Sequence, residues 1–421
     1  MQNKNAFGKR NLFQIQLRKV IYLIFRSLKV VFKKKASNNG SVIFYKAATQ
    51  REYADLIYKI NWFIPGDNTL NSVILISSDV FDQEEPSSYL SSDFEIMTDI
   101  DVRLESETDL NGDLSQSSVI ALTRFRYLFK PSILKNLRKV EIIDPYFFSY
   151  VESISWQNLY YNSLSEIQKS YYHTISSENF SSLQALLKHR NKGICFVTGP
   201  SFDNYKSYDF SGYDLKVICN SIVKNDDFLQ YIGRPDILVF ADPVFHFGAS
   251  KYAANFRECV LNVVRKYKCY VFVPIQTLPL MLSLDKSLNK YFIGIDYKND
   301  SYNFPTAENF FVKDNGNILT NLMIPLASSF SDSVYIFGAD GREKSEKYFW
   351  THSKSAQFND LMDSAFETHP SFFRDRDYSD YYDRHCQTVE ELFAYGEKRN
   401  KTYYSITPSF IPALHSREMK L

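Results

Sequence analysis

The sequence predicts an α/β protein. Its C-terminal part reads as a doubly wound parallel sheet, preceded by a smaller N-terminal α/β domain and a basic amphipathic N-terminal helix. Two observations carry this. Short, strongly apolar runs alternate with stretches of helical spacing from residue 41 to residue 408. The first 35 residues break the pattern, interleaving ten cations among apolar residues, and no acidic residue appears before Glu52. A chain of 421 residues is long for one core, so two domains are expected. The divisions fall at 1–35 (helix), 36–160 (first domain), 161–190 (a Ser-rich connection with a helical part) and 191–421 (second domain).

The N-terminal cations are Lys4, Lys9, Arg10, Arg18, Lys19, Arg26, Lys29, Lys33, Lys34 and Lys35. The longest uninterrupted apolar run among them, Val20–Phe25, is too short for a secretory signal, and no small-residue cleavage site follows. Residues 9–35 are read as a helix lying on an anionic membrane surface. The other reading is a helix docked on the protein itself with solvated lysines. No run approaches the roughly 18–20 apolar residues that span a bilayer. Lys and Arg number 49 and Asp and Glu 48, and that balance argues against a general nucleic-acid surface. The aromatic share, 16%, is read as compositional bias. The five cysteines form no CxxC pair, and Cys195, Cys219 and Cys269 sit in apolar runs. Reduced, buried thiols in a cytoplasmic protein are expected.

In the first domain, strands are expected at 41–48, 72–81, 117–129 and 139–148, with a helix at 53–64. In the second, apolar runs lead into Gly199-Pro200-Ser201, and further strands are expected at 215–220, 236–242, 269–275, 290–296, 333–340 and 402–408. Several end on polar or turn residues: Gly199-Pro200-Ser201, Cys219-Asn220-Ser221, Asp242-Pro243, Gly338-Ala339-Asp340 and Thr407-Pro408-Ser409. In a doubly wound sheet these ends gather along the edge where ligands bind. Gly199 lets backbone approach a ligand, and Ser201 is placed to cap a helix whose N–H groups favour an anion. The glycines of a GxGxxG or P-loop are missing. Asp99 and Asp101 have DxD spacing, a triplet that arises easily by chance. His385 is expected just before a helix that starts near Cys386, with Glu390 five residues on and within reach to orient it as a base.

The order of these motifs resembles the small bacterial sialyltransferases that use CMP-sialic acid, over about residues 190–412. That family has a Gly-Pro-Ser loop, a Cys-Asn strand end, an Asn-Pro strand end, a Gly-x-Asp strand end, a His-x4-acid pair and a Pro/Ser turn. The N-terminal half is not covered. The resemblance implies a Rossmann-like catalytic domain. It implies nucleotide binding by Gly199, Pro200, Ser201, Asn220, Ser221, Asp242, Thr320, Gly338, Asp340 and Ser409. It implies His385 as general base, oriented by Glu390, with Arg342 and Tyr348 at the family's paired phosphate-stabilising tyrosines. Arg342 is a departure that keeps the chemistry, because a guanidinium also stabilises developing phosphate charge. Thr198 and Asp242 replace asparagines, and Asn321 stands where a glycine is expected. A different ulosonic donor, such as Kdo, follows from the change at Asp242.

The function so implied is transfer of a sialic acid-like or Kdo sugar from a CMP donor to a surface glycan of the lipooligosaccharide, capsule or O-antigen type. No metal or other cofactor is required, because a monophosphate leaving group needs less charge neutralisation than a diphosphate. Inversion is expected, ahead of a retaining route through Asp242. The acceptor would be a glycan or lipid-linked glycan on the inner face of a bacterial inner membrane. Two rivals remain. One is a pterin pyrophosphokinase-like enzyme that uses Mg-ATP. The other is a non-catalytic membrane-associated scaffold.

Overall fold

A computed structural model describes residues 12–31, 40–66, 69–91, 97–148, 151–299, 301–343, 353–374 and 378–419. The chain divides into two compact units. The first comprises Met1–Tyr171, Pro243–Ala254 and Leu361–Arg376; the second comprises Tyr172–Asp242, Asn255–Asp360 and Asp377–Leu421. The connection expected at 161–190 is largely one 22-residue helix, Glu166–Leu187. Two later segments fold with the first unit, which a linear division of the sequence could not show.

The first unit holds five parallel strands: β1 (Ser41–Ala47), β2 (Ser72–Ser77), β3 (Ile100–Leu104), β4 (Val119–Leu122) and β5 (Val140–Ile142). Their order is β3-β2-β1-β4-β5, so the winding reverses between β1 and β4. Ile43, Ile120 and Leu122 are fully buried in its core. Phe44 and Phe63 stack on Trp156 of the helix Val151–Ser163, with ring centroids 5.6 and 4.9 Å away.

Charges of the same unit close the crevice at this reversal. Glu105 accepts from Lys46 and Lys130, each at 2.6 Å, and from the Tyr45 hydroxyl. Burial alone would raise the Glu105 carboxyl. The hydrogen bonds from Lys130, Lys46 and Tyr45 outweigh it and hold the group down at about 2. Arg124 pairs with Glu52, whose second oxygen accepts the Ala48 N–H at 2.9 Å.

The first helix, Leu12–Val31, docks on this unit by one face. Phe25 is buried, Tyr22 meets Phe147 edge-on at 6.1 Å, and Arg18 donates to the carbonyls of Tyr146 and Phe147 at 2.5 and 2.7 Å. Lys29 is half-buried and pairs with Glu141 at 2.6 Å. Residues 9–11 and 32–35 lie outside the described chain. Among the described residues, no helix is long and apolar enough to cross a membrane.

The second unit holds eight parallel strands: β6 (Arg190–Phe196), β7 (Leu215–Cys219), β8 (Ile237–Val239), β9 (Tyr270–Pro274), β10 (Phe292–Lys298), β11 (Phe311–Lys313), β12 (Ser331–Phe337) and β13 (Thr402–Ser405). The order is β11-β10-β9-β8-β7-β6-β12-β13. Five strands build outward from β6 on one side before the chain returns to its other side. All five cysteines are free thiols, and burial pushes those of Cys195, Cys219 and Cys269 up.

Two strands fall outside the sequence expectations. β3 and β11 are both edge strands, and neither carries a run of buried apolar residues.

Candidate ligand site at the carboxyl edge of the second sheet

The second sheet reverses its winding between β6 and β12. At such a point the chain leaving neighbouring strands departs to opposite faces and opens a crevice at the carboxyl ends. A cavity of about 40 Å³ lies there. It is bordered by Val197, Thr198 and Gly199 after β6, Asn220 after β7, and Gly338, Ala339, Asp340 and Gly341 after β12. Asn317, Ile318, Leu319, His385 and Ile411 complete the wall.

The strand ends are zipped together beyond the sheet. Val197 N donates to Phe337 O and Gly199 N to Gly338 O, both at 2.8 Å. A Cβ at position 199 would stand 2.0 Å from Asp340 Oδ2 and 2.5 Å from Gly338 O, so only glycine fits this approach. Gly338 takes φ +82°, a left-handed conformation that glycine adopts freely. The Ser201 amide donates to the Asp340 carboxylate at 3.3 and 3.2 Å. Burial pushes that carboxyl above its usual range, more than the Ser201 contacts pull it down. The turn after Gly199 therefore already faces an anion of the protein's own.

Asn220 turns the chain out of β7 with φ +48°, a conformation Asn tolerates better than most residues. Its Oδ1 is buried and has no hydrogen-bond partner among the described residues. Asn317 starts a helical segment at the cavity wall: its Oδ1 accepts Leu319 N at 2.9 Å and its carbonyl accepts Asn321 N at 2.7 Å. Leu319–Met323 is π-wound and runs into the α-helix Ile324–Phe330. The positive end of a helix dipole thus borders the cavity. Asn317 was not among the expected site residues. An Asn directly before an apolar run was the available signal.

His385 lies inside the helix Tyr378–Glu397, not ahead of it. The expected start near Cys386 is corrected to Tyr378. His385 is 3% exposed, and burial pushes its imidazole down to about 4, so it is neutral at neutral pH. The pairing with Glu390 is also corrected. Five residues on one helix set two side chains about 140° apart, and Glu390 is exposed, 3.6 Å from Arg417.

The remaining expected residues divide. Arg342 does not border the cavity. It is 5% exposed, its guanidinium lies 4.8 Å from the Tyr382 ring centroid, and its backbone N–H and carbonyl meet the Tyr382 hydroxyl at 3.1 and 3.0 Å. Tyr348 lies outside the described residues. Ser409 braces the β12 loop instead of facing the cavity: its Oγ donates to Ala339 O at 2.7 Å, and Phe410 N donates to Asp340 O at 2.7 Å. Ser221 donates to Gln357 at 3.2 Å, and the buried Thr320 hydroxyl donates to Asn317 O at 3.3 Å. Neither they, Pro200, Ser201 nor Asp242 borders the cavity. Asn321, at the position of an expected glycine, accepts the Asn315 N–H at 2.7 Å.

Among the described residues, no three His, Cys, Asp or Glu side chains gather as metal ligands would. A wider, open depression of about 630 Å³ borders the edge strand β13. Its charged residues are engaged within the protein, Arg417 with Glu397 at 2.9 Å and Lys401 with the Ser331 carbonyl at 3.0 Å and Asp332 at 3.5 Å, which leaves the crevice at the strand ends as the candidate site.

No family model matches the sequence, and no curated protein compared with it is similar. A solved structure that does match is a MAf glycosyltransferase from Magnetospirillum magneticum AMB-1, at 10% identity and a TM-score of 0.30, over 72% of this chain and 54% of that one. The chain thus spans about half the length of that protein. A likeness this distant leaves the functional reading to the site itself.

Proposed function

We propose that the second unit binds a CMP-activated ulosonic acid and transfers the sugar to a glycan hydroxyl. The observation that supports this is the cavity at the winding reversal, walled by polar strand ends and a buried neutral imidazole. In this reading Asp340 accepts ribose hydroxyls, because a carboxylate and a phosphate do not share the same amides without repulsion. The helix end at Asn317 meets the phosphate, and Asn220 Oδ1 accepts from the base or ribose. The acceptor oxygen attacks the anomeric carbon while the bond from that carbon to the phosphate oxygen breaks. CMP leaves with the bonding pair, and the hydroxyl proton passes to His385. The donor's phosphodiester and carboxylate charges nearby raise the imidazole from about 4 toward a range where it serves as a base. Arg342 reaches the phosphate only by leaving the Tyr382 ring. A cavity of about 40 Å³ holds no more than a few waters, so nucleotide binding opens it.

A second reading, nucleotide binding without transfer, is favoured by one observation: Glu390 faces Arg417 and does not orient the imidazole. A thermal-shift titration with CMP, CDP, UDP, GDP and ATP, with and without Mg²⁺, tests both, because a ligand of the native state raises its stability. Selective stabilisation by CMP without Mg²⁺ is expected. A response only to ATP with Mg²⁺ would point to the pyrophosphokinase reaction, and no response to any would overturn the nucleotide reading. Release of CMP from CMP-sialic acid or CMP-Kdo, abolished by His385→Ala, separates transfer from binding alone.

A further inference from the structure

The first helix carries two apolar faces, and its own unit covers one. Successive residues advance about 100° around a helix. Arg18, Tyr22, Phe25 and Lys29 share the docked face. Leu17, Val20, Ile24 and Leu28, at the same three- and four-residue spacing, share a second face about 125° further round, and they are 48%, 50%, 55% and 39% exposed. Phe13 and Leu23 are exposed as well. Lys19 and Arg26, both exposed, lie past Leu23, on the side between this face and the docked one. A helix that only packs on its own domain needs one apolar face, so the second points to another partner.

We propose that this outer face seats the first unit on an anionic phospholipid bilayer, with the helix lying in the headgroup plane while its inner face stays docked. Charge complementarity selects this occupant. The first 35 residues carry ten cations, and no acid precedes Glu52. A second copy of the chain would set these cations against their own counterparts. Arg18, Lys19, Arg26 and Lys29 also interrupt the helix too often for it to span a bilayer. The inference concerns the first unit alone and stands apart from the nucleotide site of the second.

Flotation of the full chain with vesicles tests it, using phosphatidylcholine alone and phosphatidylcholine mixed with phosphatidylglycerol. Wild type is expected to float with the mixed vesicles and to detach as salt rises. Leu17→Ser with Ile24→Ser, both at exposed positions, should weaken binding by about tenfold or more. Lys19→Gln and Arg26→Gln should each cost roughly fivefold and flatten the salt dependence. Any of three results overturns the proposal. The first is wild type unbound to both vesicles, and the second is wild type bound equally to both. The third is sedimentation as a dimer that Leu17→Ser with Ile24→Ser converts to monomer, which would assign the face to a second copy.

Discussion

His385 is the residue on which the site's chemistry turns, and its burial has a measurable consequence. Its imidazole is pushed from 6.5 down to about 4. Between those values the unfolded chain binds more protons at this position than the folded one, so stability falls as pH falls. Each unit of pH in that window costs about 1.4 kcal/mol, or about 2 kcal/mol from about pH 7 to about pH 5. Below about 4 the penalty is complete, and above 6.5 it is absent. His385→Gln removes it. Urea unfolding of wild type and variant at both pH values should show a pH dependence smaller by about that amount in the variant. Equal dependence would mean that the ring is solvated in the folded state. The residue itself was legible in the sequence, but its setting was not. The polar turns from Tyr378 to Arg384 read as loop, and a helix beginning at Tyr378 carries Glu390 round to a different face. Gly199 was legible as a close approach, but the group it approaches, Asp340, is distant in sequence and was assigned to the ligand rather than to the loop.

Elements meet in the first unit through a buried pair that no sequence pattern announced. His369 Nδ1, just after the helix Met362–Thr368, lies 2.7 Å from Glu152 Oε2 in the helix Val151–Ser163. The two side chains are 1% and 2% exposed. A Cβ on Gly248 would stand 2.7 Å from His369 Nε2, so the segment Pro243–Ala254 closes over the pair as well. This explains why two late segments belong to an early unit: a contact spanning 217 residues leaves no local signal. Removing one partner strands a buried polar group, so Glu152→Leu should cost about 3–5 kcal/mol. Glu152→Leu combined with His369→Leu should recover much of that loss, because both polar groups leave together. Equilibrium unfolding of the four proteins gives the coupling. Simple additivity would show that the pair contributes nothing as a pair. Strands were read more successfully, since β1, β2, β6, β7 and β9 bury continuous apolar runs. The edge strands β3 and β11 carry their pairing in the backbone and leave little in the side-chain pattern.

At the scale of the whole molecule, the two units repeat one device and use it differently. Both are parallel sheets whose winding reverses at an inner strand. In the first, Lys46, Lys130, Glu105, Arg124 and Glu52 satisfy one another at the strand ends. In the second, Asn220 Oδ1 remains buried without a partner among the described residues, at ends shaped by Gly199 and Gly338. The apolar runs alone could not distinguish these cases, because the difference lies in which polar groups meet across the strand ends. It makes a prediction about where a ligand acts. Every residue bordering the cavity belongs to the second unit, so binding draws its stabilisation from that unit's native state. Hydrogen exchange with saturating CMP should slow at 197–199, 317–319 and 338–341, which border the cavity. The first unit's strand ends at 46–49 and 123–124 should exchange as before. Protection confined to the first unit instead would move the nucleotide to the charged crevice beside Glu105 and overturn the assignment of the site.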